Sequence, residues 1–177
     1  MQEVQTPDLL IRQVAPSDIQ NLWALIEALG HEKDTGYFEQ CLERQDKGEL
    51  LVLMVTLKKS VGDVGYCILN WQPKYALFKK LGMPEVQDLN VLRKHRRQGI
   101  GRTVIRYCED LARQKGYTDM GIGVGLDSSY GPAQRLYIKM GYIPDGSGVS
   151  YDRKQVEIGA LRPLDDNFCL MMTRGLS

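Results

Sequence analysis

Two histidines and four cysteines in 177 residues leave little from which to build a metal centre. Cys41, Cys67, Cys108 and Cys169 stand far apart, form no CxxC pair and have neither His31 nor His95 beside them. Neither a metal site nor a disulfide framework is expected, and a reducing cytoplasm is the simpler home. An excess of one charge is missing too: 23 Lys and Arg against 22 Asp and Glu give a net charge of +1. That balance supplies no global attraction to nucleic acid or to an anionic membrane, so any anion site must be local. The longest apolar run, "LLVLMVTL" at 50–57, is too short to cross a bilayer, and "MQEVQTPD" lacks the basic and apolar blocks of a signal peptide. The expectation is a soluble, cytoplasmic protein of one domain, residues 1–177, large enough to bury a core.

What is present has clear periodicity. After an extended "DLLIRQV", Ile19, Leu22, Trp23, Ile26 and Leu29 recur at helical spacing, opened by a capping box from Ser17 to Gln20 and closed by Gly30. A second helix carries Tyr37, Phe38, Cys41 and Leu42 and stops by Gly48, after a polar loop "HEKDTG". The runs at 50–57 and 63–71, joined by the charged turn "KKSVG", read as an antiparallel hairpin. Residues 72–84 read as a long connecting loop and "EVQDLNVL" as a strand. A helix follows from about Gly99 to Gly116, then a strand "DMGIGVGL", a helix from about Gly131 to Met140, a glycine-rich loop and a last strand "FCLMMT". The order suits one mixed α/β domain.

The junction "NVLRKHRRQGIGRTVIRY" gathers Arg93, Lys94, Arg96, Arg97 and Arg102 between a strand and a helix. There the backbone N–H groups from about Gln98 to Arg102 lie at a helix N-terminus, which attracts phosphate, and Gly99 and Gly101 allow close approach. An ordinary tight turn with solvated arginines explains the same residues about as well. The sequence holds no GxxxxGK[ST], and "GIGRTV" lacks the third glycine of GxGxxG. The glycines of "GIGVGL" fall inside a strand pattern instead. Nucleic-acid binding would want more basic residues with interleaved aromatics, and the near-zero net charge argues against it.

The same stretch resembles the acyl-CoA-binding motif of the GNAT superfamily of N-acyltransferases, with Arg96, Gly99 and Gly101 in the positions of [RQ]xxGx[GA]. Downstream, "YGPAQRLYIKMGY" is similar to the family's later helix, NxxAxxLYxxxGF, through Ala133, Leu136, Tyr137, Gly141 and Tyr142. Tyr130 stands where asparagine is commonest. The resemblance spans nearly the whole chain. It implies a twisted, mostly antiparallel sheet of six or seven strands with a splayed central pair, flanked by about four helices. It also implies acetyl-CoA as cosubstrate, contacting Leu89, Val91, Arg96, Arg97, Gln98, Gly99, Ile100, Gly101, Arg102, Tyr130 and Ala133, with no metal.

Acetyl transfer to an amine needs a proton acceptor, a polarised carbonyl and a proton for the leaving sulfur. By the resemblance, Glu85 is the first candidate base and Asp88 the second. The two face opposite sides of a regular strand, so a bulge is expected there. The backbone N–H of Val91 or Leu92 would hold the oxyanion. Tyr137, whose phenol titrates near about 10, would protonate the thiolate, although periodicity alone places it in a buried stripe. The cysteines read as core residues, which favours direct transfer in a ternary complex over an acyl-cysteine route. His95 belongs at the phosphate side, and His31, in the loop after the first helix, is the better placed of the two for an acceptor contact. Acidic residues in "HEKDTG" and in 145–166 suit a cationic acceptor, such as a polyamine, an aminoglycoside-like compound or a lysine side chain, with a small-molecule amine preferred. A protein lysine or N-terminal acceptor, or an acyl-CoA-binding regulatory module without turnover, remains an alternative. Exposed sheet edges would also allow a homodimer.

Overall fold

The structure is a computed structural model, and it describes residues 8–58 and 62–176. The middle of the "KKSVG" turn and the first seven residues, on which the signal-peptide reading rests, lie outside the described residues. Among the described residues, eight strands and five helices follow the order β1 (Leu9–Gln13), α1 (Ile19–Leu29), α2 (Tyr37–Asp46), β2 (Leu50–Leu57), β3 (Asp63–Asn70), α3 (Ala76–Leu81) and β4 (Glu85–Val91). The second half is α4 (Ile100–Gln114), β5 (Asp119–Gly125), α5 (Gly131–Lys139), β6 (Ile143–Tyr151), β7 (Lys154–Gln155) and β8 (Phe168–Gly175). The strands are hydrogen-bonded in the order β1-β2-β3-β4-β5-β8-β6-β7. A mixed, mostly antiparallel α/β sheet was expected and is found. The strand count exceeds six or seven because 143–155 forms β6 and β7 rather than a loop, and α3 adds a fifth helix within the connection at 72–84.

The chain packs as two compact units, one running to Asn70 and including Gln87–Cys108, the other made of Trp71–Val86 and the residues from Glu109. In the first unit β2 runs antiparallel to both β1 and β3, with a bulge between Val55 and Thr56. Leu22, Leu25, Ile26 and Leu29 of α1 and Phe38, Cys41 and Leu42 of α2 bury their apolar faces against Leu50, Val52, Met54, Tyr66 and Ile68. Gly30 ends α1 at φ 69°, and the Gly30 and His31 N–H groups turn back onto the carbonyls of Glu27 and Ile26. Gln45, which periodicity does not single out, is buried. Its Nε2 donates to the Val14 carbonyl and its Oε1 accepts from the Val52 N–H, both at 2.9 Å, so one amide stitches α2 to β2 and to the residue that follows β1.

The expected capping box does not form at the start of α1, because Pro16–Asp18 makes a 3-10 turn and Asp18 becomes the N-cap. The Asp18 carboxylate instead accepts from Ala15 N–H at 2.8 Å and from both Arg12 guanidinium nitrogens at 2.7 and 2.8 Å. The bond to Arg12 lowers the Asp18 pKa from its ordinary 3.8 to about 2. A depressed folded-state value stabilises the fold above pH 4 and loses that stability as pH falls toward 2. Arg12 is 38% exposed, so screening reduces the contribution to about 1–2 kcal/mol. Asp18→Asn is therefore expected to flatten the stability profile between pH 4 and 2, measured by denaturant titration across that range.

In the second unit β5 runs antiparallel to β8 from Asp119↔Gly175 to Gly125↔Cys169, and β8 pairs with β6. The β4 and β5 ladder is parallel and spans two pairs, Glu85↔Gly121 and Val86↔Ile122. The strand glycines of "GIGVG" make room for side chains. A Cβ on Gly121 would lie 2.3 Å from the Phe78 ring, and one on Gly125 would lie 2.4 Å from the Tyr130 ring. All four cysteines are buried, as periodicity indicated. Among the described residues no helix is long and apolar enough to cross a membrane, and no cluster of three or more His, Cys, Asp or Glu could hold a metal ion.

Candidate active site

The basic junction lies in the first unit. At the end of β4, Leu92 N–H donates to the Val64 carbonyl at 2.8 Å, which removes it as an oxyanion donor. Residues Arg93–His95 form a 3-10 turn, and Arg96 Nε donates to the Val91 carbonyl at 2.8 Å, so this motif arginine closes the loop onto the strand. Arg97 and Gly99 both take left-handed backbone, at φ 63° and 80°. The Ile100 side chain is buried, leaving only its backbone to serve a ligand. The Gly99 carbonyl accepts from both the N–H and the Oγ1 of Thr103, at 3.0 and 3.2 Å. By helix geometry, the N–H groups of Ile100, Gly101 and Arg102 have no carbonyl one turn back in α4. Arg93, Lys94, Arg96, Arg97 and Gln98 are exposed around them, and Arg102 is half-buried. A left-handed glycine, open N–H groups and surrounding cations suit a pyrophosphate.

Upstream in β4, Asp88 has φ 52°, left-handed backbone inside a strand. β3 passes close beneath the next residues: a Cβ on Gly65 would sit 2.3 Å from the Asn90 carbonyl oxygen. The Asp88 carboxylate accepts from Lys33 Nζ and Tyr37 Oη, each at 2.8 Å. Asn90 Nδ2 reaches the Tyr66 hydroxyl at 3.3 Å and the Asp88 carbonyl at 3.2 Å. Burial first, then the negative charge of Asp88, holds the Tyr37 and Tyr66 phenols well above their ordinary value, so both stay protonated. Leu89 and Val91 are half-buried, and His31 is exposed just past α1.

The remaining candidates lie in the second unit. Glu85 is 0% exposed, and its Oε1 takes Arg153 Nη2 at 2.9 Å. Arg153 stands in the turn between β6 and β7, where Asp152 and Arg153 have φ 46° and 63°. Gly123 leaves space for it, since a Cβ there would lie 3.3 Å from Arg153 Nη1. Tyr137 of α5 is buried, its ring 6.2 Å from that of Tyr142. Ala133, one turn earlier, is half-buried. Tyr130 spends its ring on Gly125 and donates its hydroxyl to Asp166 at 2.8 Å; burial and that carboxylate raise its pKa.

Sequence reasoning finds Asp88 but not the groups that surround it. Tyr37 reads only as one residue of a helix, Tyr66 falls unremarked within a strand run, and Lys33 belongs to a polar loop. Arg153 carries no signal except its place in a short turn.

The family model described as Acetyltransferase (GNAT) family matches residues 18–142. No curated protein matches. Among solved structures, a GNAT-family acetyltransferase from Desulfovibrio desulfuricans has a TM-score of 0.70 at 14% identity, covering 96% of this chain and 99% of that one. YncA of Salmonella typhimurium, solved with its cofactor acetyl-CoA, has a TM-score of 0.64 at 19% identity, with 96% and 95% covered. A spermidine N-acetyltransferase SpeG chimera from Vibrio cholerae has a TM-score of 0.66 at 15% identity, with 96% of each chain covered. These likenesses establish a common fold. The family match, which takes in both the β4–α4 junction and the α5 motif, shows that the chain belongs to the GNAT acetyltransferase family.

Proposed function

We propose that residues 1–177 work as one acyltransferase domain that moves the acetyl group of acetyl-CoA to a primary amine by direct attack in a ternary complex. The observation that carries this reading is the β4–α4 junction, where left-handed Gly99 and the N–H groups of Ile100, Gly101 and Arg102 stand among exposed cations. The backbone from Gln98 to Arg102 would hold the pyrophosphate, with Arg97 and Arg102 adding charge. Arg96 supports the loop through the Val91 carbonyl. Leu89, Val91, Tyr130 and Ala133 would line the rest of the cofactor path, with Tyr130 contributing its ring because its hydroxyl is engaged by Asp166.

Bound acetyl-CoA supplies an activated thioester. Val91 N–H is the remaining candidate to polarise its carbonyl, since Leu92 N–H is bonded to Val64. Glu85 stays the first choice to collect the amine proton, although Arg153 pairs with it; Asp88 is held by both Lys33 and Tyr37. Tyr137 returns a proton to the departing sulfur. The test is free-thiol release from acetyl-CoA with polyamines, amino acids, aminoglycosides and lysine peptides, run beside acetyl-CoA thermal shifts. Thiol release that depends on a small amine is expected. A thermal shift without release for any amine would instead establish a binding module.

A further inference from the structure

The carboxylate of Asp88 is already occupied, and by a group of the same kind as the proposed acceptor. Lys33 Nζ sits 2.8 Å from it and 4.7 Å from the centre of the Tyr37 ring, and the Tyr37 hydroxyl donates to the same carboxylate. A carboxylate, a phenol hydroxyl and an aromatic face together form a site for a primary alkylammonium. The pair is largely desolvated, with side chains 22% and 18% exposed, and all of these residues belong to one unit. Asp88 holds its position at φ 52°, backbone that only a few residue types tolerate.

Lys33 enters from the loop between α1 and α2, which Gly30 and Gly36 bound, both left-handed at φ 69° and 79°. Its ammonium is therefore carried on a segment with a glycine at each end, whereas Asp88 and Tyr37 stand on β4 and α2. We propose that Asp88 and Tyr37 form an alkylammonium-binding site, that Lys33 is its internal occupant, and that acceptors bearing a second ammonium displace Lys33 and are recognised there. Exchanging one primary ammonium for another preserves the charge and hydrogen bonds of the site, so mainly loop order is lost. A neutral or anionic competitor would leave Asp88 partly buried without its counter-charge. The acceptor class follows: an aliphatic diamine or polyamine, one nitrogen reacting and another held by Asp88. The acceptor step rests on the acetyl-transfer reading above.

The ammonium site is tested with n-butylammonium as probe, by calorimetry on the wild type, Lys33→Ala and the double variant Lys33→Ala/Asp88→Asn. Lys33→Ala should bind it at least tenfold tighter than the wild type, and the double variant should lose that gain. Equal affinity in the wild type and Lys33→Ala, or a gain that survives Asp88→Asn, overturns the proposal. A second measurement needs no variant: 1,4-diaminobutane should speed amide exchange in residues 31–36 of the wild type, and unchanged exchange at saturating diamine overturns it. Thiol release then separates this inference from the transfer reading. Asp88→Asn should raise KM at least tenfold for 1,4-diaminobutane and much less for n-butylamine, and equal effects on both overturn recognition of the second nitrogen. If no amine releases thiol while butylammonium binding still follows Lys33 and Asp88, the transfer reading fails and the ammonium site stands.

Discussion

Tyr137→Phe is expected to lower kcat at least about 100-fold, the usual scale for removing a positioned general acid, while acetyl-CoA stabilises the variant as it does the wild type. The expectation rests on what the change spares. Tyr137 is buried in α5 with its ring 6.2 Å from that of Tyr142, and phenylalanine keeps that ring. Only the hydroxyl goes. If the hydroxyl protonates the leaving thiolate, the loss falls on kcat and kcat/KM together, the pattern of an interaction made in the transition state. If Tyr137 serves only to pack, kcat is unchanged and the melting temperature carries the whole effect. Steady-state thiol release with a saturating amine distinguishes the two, and undiminished turnover with every amine that supports the wild type would remove Tyr137 from the mechanism.

Glu109→Ala should destabilise the fold more than either Asp18→Asn or Tyr137→Phe. Glu109 lies in α4 with 1% exposure, accepting from Tyr142 Oη at 3.0 Å and from Arg174 Nη1 at 2.8 and 3.0 Å. One carboxylate thus ties α4 to the chain after α5 and to β8. Alanine takes the counter-charge from a guanidinium that is 29% exposed and removes one acceptor from the Tyr142 phenol, a loss of about 2–4 kcal/mol, below the range for a fully buried pair because Arg174 keeps contact with water. For a chain of this size that is roughly a 10 °C fall in melting temperature. Glu109→Gln keeps the shape and one acceptor and should cost less than half as much. Equal melting temperatures for Glu109→Ala and the wild type would show that the pair is replaceable by water.

Periodicity places the longer helices and strands well because it reports on one face of one element. Ile19 to Leu29 at helical spacing became α1, and the run at 50–57 became β2, with the stop at Gly30 visible in advance. It fails where the signal is weak by nature. In β6, Gly146 and Gly148 mask the alternation and the ladder to β8 shifts between Pro144 and Val149, so a strand read as a loop. In 72–84, α3 is six residues long, too short for a helical repeat to stand out. The Ser17–Gln20 box lost to Asp18, which finds a stronger partner in Arg12.

The sequence by itself determined the family of this protein, its α/β class and the strand–loop–helix junction, because those depend on residues that are neighbours along the chain. Tertiary structure decided what the two β4 carboxylates are. Glu85 meets Arg153 from the turn after β6, and Asp88 meets Lys33, 55 residues away, from a loop between two helices. An ion pair forms where folding brings opposite charges together out of water, and no local spacing encodes which of 23 cations will arrive. In the sequence Lys33 is part of a polar loop; in the fold, its ammonium fills the place at Asp88 that the proposed acceptor must claim.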